Sequence, residues 1–283
     1  MPYSKDKLNQ TLISLKQNYE KELLESKKTE STRRSSKFIN ILHEFLKYEL
    51  RNHNINPSNI FPPLDATSPE KKILGGLKTK QQDITVFPLI KKNKEEILIG
   101  AHKIIDTYGS EFLAKTLTIN IRGQFSSIKK NFDTIFERTF AEALNLHLRI
   151  PSMVLGELFL LPTRGYNTEK AKEGKIICDE ENYLLKYING FSAINTRKSI
   201  SSNHYKYEKV CLIIVGFKKN PPKLINEFDD LQNYLVEKEI DDLKNYDIEK
   251  LKENFQNLMI NDFIDIILDI YDNRHDINNI LKN

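Results

Sequence analysis

Apolar positions at Leu8, Leu12, Leu15, Tyr19 and Leu23 recur at helical spacing and predict an amphipathic helix from Ser4 to about Lys28. The polar run Thr29 to Ser36 then breaks the pattern and predicts a linker. A second helix is expected from Lys37 to about Arg51, with Phe38, Ile41, Leu42, Phe45, Leu46 and Tyr48 as its apolar stripe. Pro57, Pro62, Pro63 and Pro69 mark an irregular connection, because proline lacks a backbone donor and restricts the residue before it. After Gly75-Gly76 the pattern changes to a short strand, Lys80 to Phe87, with Asp83, Thr85 and Phe87 on one side. Lys91, Lys92 and Lys94 mark a loop, and an irregular stretch runs on to Ser110.

From Leu117 to Pro162 the chain reads strand, helix, strand. The first strand alternates, with Asn120, Arg122 and Gln124 on one face and Ile119 and Ile121 on the other, so polar groups are presented at a cleft. The helix has Ile128, Phe132, Ile135, Phe136, Phe140, Ala143 and Leu144 on its apolar side. Lys209 to Phe217 reads as a fully buried interior strand. From about Asn226 onward helices are expected, carrying Leu231, Tyr234, Leu235, Phe255, Leu258, Met259, Phe263, Ile266, Ile267 and Ile270. No internal repeat is visible. Mixed strands and helices in this order predict an α/β or α+β core with helical additions, divided as 1–36, 37–225 and 226–283.

Composition narrows the function. The 283 residues are 39% hydrophobic and 29% charged, enough for an enzyme-sized core, and no run of eighteen apolar residues is present. The charged beginning Met-Pro-Tyr-Ser-Lys-Asp-Lys lacks an apolar leader, and Cys178 and Cys211 form no C-x-x-C pair. These features fit a cytoplasmic protein with reduced thiols and no structural zinc. The net charge of +4 conceals a segregation: 15 acidic against 6 basic residues from Glu227 on, and 37 basic against 24 acidic before it. A basic body with an acidic tail suits a phosphate-binding protein, as it does an ordinary solvated surface.

Several chemistries are excluded at motif level. The chain has no phosphate-loop motif, no G-x-G-x-x-G, no G-x-S-x-G and no H-E-x-x-H, and its six histidines are scattered. What remains is a carboxylate on a short strand after a Gly-Gly turn, a second strand with a polar face, a helix, and an apolar strand. That order is compatible with a metal-dependent phosphodiesterase, in which carboxylate oxygens hold a divalent ion near the scissile phosphate and a cation stabilises developing charge.

Thr118 to His147 (Thr-Ile-Asn-Ile-Arg-Gly-Gln-Phe-Ser-Ser, continuing through Phe-Glu-Arg-Thr-Phe-Ala-Glu-Ala-Leu-Asn-Leu-His) resembles part of a type II restriction endonuclease. Tyr205 to Val215 is similar to such enzymes as well, so the resemblance covers roughly Gly75 to Phe217. It implies a PD-(D/E)XK nuclease core in 37–225, a central mixed sheet flanked by helices, with helical N- and C-terminal additions. It further implies Mg2+-dependent cutting of double-stranded DNA at a short palindrome to leave 5′-phosphate ends, a homodimer, and a cognate DNA methyltransferase in the same system.

Matched to that motif, Asp83 takes the first acidic position as metal ligand. Asn120 and Arg122 fall where a second acid and a lysine are expected; an asparagine offers oxygen without charge, and an arginine stays protonated. The resemblance implies that a helix glutamate replaces the strand acid, with Glu137 as first candidate and Glu142 further along, and that Gln124 stands in for the lysine. Lys78, Lys80, Lys129, Lys130, Arg138, Arg164, Arg197 and Lys198 are candidates for DNA contacts, together with the basic loops Lys71-Lys72 and Lys91 to Lys94. Two readings compete: Asp83 as a turn cap near Gly76, and Glu137-Arg138 as a surface pair. The departures at Asn120 and Arg122 also leave open a nucleic-acid-binding protein on a nuclease-like fold without catalysis, and the terminal helices a protein-interaction module.

Overall fold

The computed structural model describes residues 3–25, 38–178, 183–237 and 241–281. The expected linker Thr29 to Ser36 lies outside the described residues. Two helices open the chain, α1 (Lys5–Glu25) and α2 (Ile39–Asn52); the apolar stripe of α1 is buried as the spacing predicts, while on α2 Leu42, Phe45 and Leu46 are buried, Ile41 is half-buried and Tyr48 is exposed. Short strands follow: β1 (Ile60–Phe61), the hairpin β2 (Lys71–Leu74) with β3 (Thr79–Gln82), β4 (Ile84–Val86), and a second hairpin, β5 (Glu95–Ile99) with β6 (His102–Asp106). After α3 (Ser110–Ala114) come β7 (Leu117–Gly123), the long α4 (Ile128–Arg149) and β8 (Val154–Pro162), the strand, helix, strand unit read from the sequence. The remainder is α5 (Thr168–Lys172), α6 (Leu184–Ala193), β9 (Lys209–Gly216), β10 (Lys223–Ile225), α7 (Phe228–Glu237), α8 (Ile248–Gln256), α9 (Phe263–His275) and α10 (Ile277–Ile280).

Six strands form one mixed sheet in the order β1-β4-β7-β8-β9-β10, flanked by helices. The β1/β4, β4/β7 and β9/β10 pairs are antiparallel, while β7/β8 and β8/β9 are parallel and joined by helical crossovers. Every residue of β8 is buried, as expected for a central parallel strand covered on both faces. Alternation then assigns the two faces. Ile119, Ile121, Leu158 and Ile213 pack with α1, α2 and α9, whereas Leu155, Phe159 and Leu212 pack with α4, α6, α7 and α8. The terminal helices therefore share the cores of the sheet they cover.

Two differences from the sequence pattern bear on the site. The strand expected over Lys80 to Phe87 is broken at Asp83, with β3 turning away into the β2/β3 hairpin. The stretch expected to be irregular, Lys94 to Ser110, contains the β5/β6 hairpin and leads into α3. The β2/β3 hairpin lies across α4. A Cβ at Gly75 would stand 2.2 Å from the Asn145 side chain, so only glycine permits that approach.

Candidate functional site

The register that pairs Ile84 with Ile119 brings Asp83 next to Asn120, at the amino end of β4. The Asn120 amide oxygen accepts from the Asp83 N–H at 3.5 Å, and Asp83 Oδ2 accepts from the Ile121 N–H at 2.7 Å. Asn120 and Asp83 thus lock one another across the strand pair. Asp83 is half-buried. Burial pushes its carboxyl up to about 6; the Ile121 N–H and Arg122 pull it down, while Glu70 and Glu142 push it further up.

Arg122 is the hub. Its Nη1 donates to Thr139 Oγ1 at 2.7 Å and lies 3.3 Å from Glu157 Oε1; its Nη2 donates to Glu142 Oε2 at 2.6 Å. Burial opposes the guanidinium charge, yet Glu157, Tyr207, Glu142 and Asp83 hold its pKa above the ordinary range. Its side chain is still 25% exposed, so it connects the buried carboxylates to the surface.

Glu142 is fully engaged: Oε1 accepts from Gln82 Nε2 at 2.9 Å, and Oε2 also meets Lys80 Nζ at 3.2 Å. Glu157 is not. Both of its oxygens are buried without a well-formed hydrogen bond, Arg122 Nη1 being its ion-pair partner, and burial pushes its carboxyl up to about 8, with Arg122 and the Tyr207 hydroxyl pulling it back and Glu142 and Asp83 pushing it up. The neighbouring Tyr207 donates its hydroxyl to the Thr139 carbonyl at 2.9 Å. Its own pKa stands well above the usual value through burial and the charge of Glu157. Two carboxylates therefore contact one guanidinium, Asp83 acts on it from further off, and Lys80 is a second cation at the rim.

Of the residues singled out by sequence, Asp83, Asn120, Arg122, Lys80 and Glu142 meet in this cluster. Glu137 does not: it is exposed on α4, because a residue two positions before Thr139 points to the other side of the helix. Gln124 lies beyond the end of β7, half-buried, and its amide donates to the Ser126 carbonyl. Arg197 is a structural residue: its guanidinium is buried and donates to the carbonyls of Pro151, Ile200 and Ser202 and to Glu208. Arg164 is buried beside a crevice described below. Lys78, Lys130, Arg138 and Lys198 are exposed, and Lys129 is exposed over the Tyr183 ring at 5.3 Å.

Glu157, Thr139, Tyr207 and Gln82 were missed. One signal pointed to Glu157, the single charged residue in the apolar strand Val154 to Pro162. Among the described residues, no three or more His, Cys, Asp or Glu side chains are grouped to hold a metal ion. No described helix is long and apolar enough to cross a membrane. Cys178 and Cys211 are unbridged; Cys211 is buried, which pushes its thiol up, and Cys178 is half-buried. Comparison with known proteins finds no match among family models, curated proteins or solved structures.

Proposed function

We propose that this chain is a site-specific double-strand DNA endonuclease with Asp83 and Arg122 at its centre. The observation that carries the reading is a half-buried carboxyl pushed up to about 6 beside a fixed guanidinium. A carboxyl titrating near neutrality next to a permanent cation suits phosphodiester hydrolysis, which needs both a proton acceptor and a group to stabilise negative charge. In this reading Asp83 takes a proton from the attacking water. Arg122, held by Thr139 and Glu142, contacts a phosphate oxygen and never gives up its own proton.

The donor set suits a divalent ion. Glu157 has two buried oxygens without a well-formed hydrogen bond, and burial raises the carboxyls of both Asp83 and Glu157 against the pull of Arg122. Glu157 is the residue that would hold Mg2+ in this reading, leaving Asp83 as the proton acceptor; when bound the ion would supply Lewis-acid polarisation and a more acidic water. The same reading includes 5′-phosphate ends, a homodimer on a two-fold site, and a methyltransferase as companion activity.

One observation favours a second reading, DNA binding without cleavage: Glu142 is already satisfied by Gln82, Arg122 and Lys80. Incubating phage DNA with the protein separates the two. Discrete bands in Mg2+, lost by at least about 100-fold in Asp83→Ala with binding retained, support the endonuclease. Intact DNA in both Mg2+ and Mn2+, with sequence-specific binding, overturns it.

A further inference from the structure

A crevice of about 1050 Å³ opens between the end of β9, the edge strand β10 and α7, four strand positions along the sheet from Asp83. Among the described residues Arg164, Lys218, Lys219 and Lys223 line it, with one carboxylate, Asp230. Lys223 is paired with Asp230 at 2.6 Å. Among the described residues neither Lys218 nor Lys219 has an ion-pair partner, and both are exposed.

The turn that carries them is anchored, since Lys16 Nζ donates to the Lys219 carbonyl at 2.8 Å. On the facing wall, Tyr234 donates its hydroxyl to the Thr163 carbonyl at 2.9 Å, tying α7 to the end of β8. The lysine charges are thus presented from a fixed backbone at the carboxyl ends of β8 and β9, where open α/β sheets commonly take ligands.

We infer that this crevice is a second contact for nucleic acid, receiving the phosphate backbone of the duplex whose scissile phosphate lies at Arg122. The inference rests on the endonuclease reading and adds the residues that hold the DNA away from the cut. Exposed lysines on an open wall suit the spread charge of a backbone, because an ammonium is a mobile point charge that selects no planar group. Arg122 lies on β7, and the three strand steps from there to β10 span about 14 Å at ~4.8 Å each. That is a little under half a turn of duplex, for which a full turn is about 34 Å.

The test is a titration of a labelled 30-base-pair duplex of mixed sequence, without divalent ions, over a series of salt concentrations, with fluorescence anisotropy as readout. Lys218→Gln/Lys219→Gln is expected to reduce the slope of log K against log salt by about 1.8, at ~0.9 per lost phosphate contact. A control pair, Lys5→Gln/Lys252→Gln, is expected to keep the wild-type slope. An unchanged slope in the crevice variant, or an equal change in the control pair, overturns the inference while wild-type binding and cleavage leave the endonuclease reading standing. Wild-type protein with no salt-dependent binding overturns both.

Discussion

Two buried glutamates, Glu157 on β8 and Glu208 immediately before β9, lie two register rows apart, and their surroundings drive them in opposite directions. Glu208 is a single carboxylate within a ring of donors: the Leu155 N–H at 2.8 Å, Arg274 Nη2 at 2.9 Å, Arg197 Nη1 at 3.2 Å and His147 Nε2 at 3.4 Å. Burial pushes its carboxyl up, yet His147, Arg274 and the Leu155 N–H outweigh burial and hold it below the usual range. Glu157 shares the Arg122 guanidinium with Glu142, at 3.3 Å against 2.6 Å, and neither of its oxygens has a well-formed hydrogen bond. A buried charge with surplus partners is a fastening, and here it ties α4, β9 and α9 together. A buried charge with too few partners is a cost that the fold carries, and such costs concentrate where a site must bind something else.

The same isosteric change should therefore act oppositely at the two positions, and the larger effect belongs to the fastening. Glu208→Gln leaves the buried Arg197 and the half-buried Arg274 without a counter-charge and is expected to cost about 3–5 kcal/mol. Urea denaturation at neutral pH measures this. A loss no greater than that of Glu157→Gln would break the distinction between the two clusters.

Glu157→Gln comes second. A carboxyl raised from 4.5 to about 8 stabilises the fold below pH 4.5, and that stabilisation is lost as pH rises through 8, because the ionised form is the costly one. Asp83, raised from 3.8 to about 6, adds a loss of the same sign over the lower part of that range. His43, lowered from 6.5 to about 4 by burial, acts with the opposite sign below pH 6.5, so the wild-type protein should lose stability mainly between about pH 6.5 and pH 8, and Glu157→Gln, having lost that titration, should exceed it by about 1–3 kcal/mol at pH 9. Glu208, lowered in the fold, contributes with the opposite sign: its stabilisation is present above its ordinary pKa and lost in acid. Melting curves across pH for both proteins test this, and parallel profiles count against it.

How far the sequence reveals all this depends on which physical signal each residue leaves. Long elements with one dominant period, α1, α2, β7, α4 and the parallel strands β8 and β9, were legible because burial writes itself into spacing. The β5/β6 hairpin was not, since its strands have no buried face and Leu98 and Ile105 remain exposed. In the site, Asp83, Asn120 and Arg122 could be found because strand alternation and antiparallel pairing are local geometry. Arg197 was misassigned because its charge is visible in sequence and its burial is not. Glu157 went unnoticed because an apolar strand draws attention to its hydrophobic run, although a lone carboxylate there must find a partner or pay for its burial.

The smallest predicted effect sharpens the comparison most cheaply, on α4 itself. Glu137 and Glu142 were both candidates for the helix carboxylate, and they are five positions apart on one helix, well over a turn. Glu142 shares a face with Thr139 and reaches Arg122, Lys80 and Gln82, whereas Glu137 faces solvent. Glu137→Ala should change stability by less than about 0.5 kcal/mol, the range of an exposed helix position without a special role. DNA cleavage should be unchanged as well, because nothing at Glu137 reaches the guanidinium. Glu142→Ala removes the 2.6 Å partner of Arg122 and leaves Lys80 and Gln82 without their acceptor, so both stability and cleavage should fall. A loss of cleavage in Glu137→Ala at full stability would mean that the carboxylate used in catalysis lies outside the Arg122 cluster, and the division between fastening and site would have to be redrawn along α4.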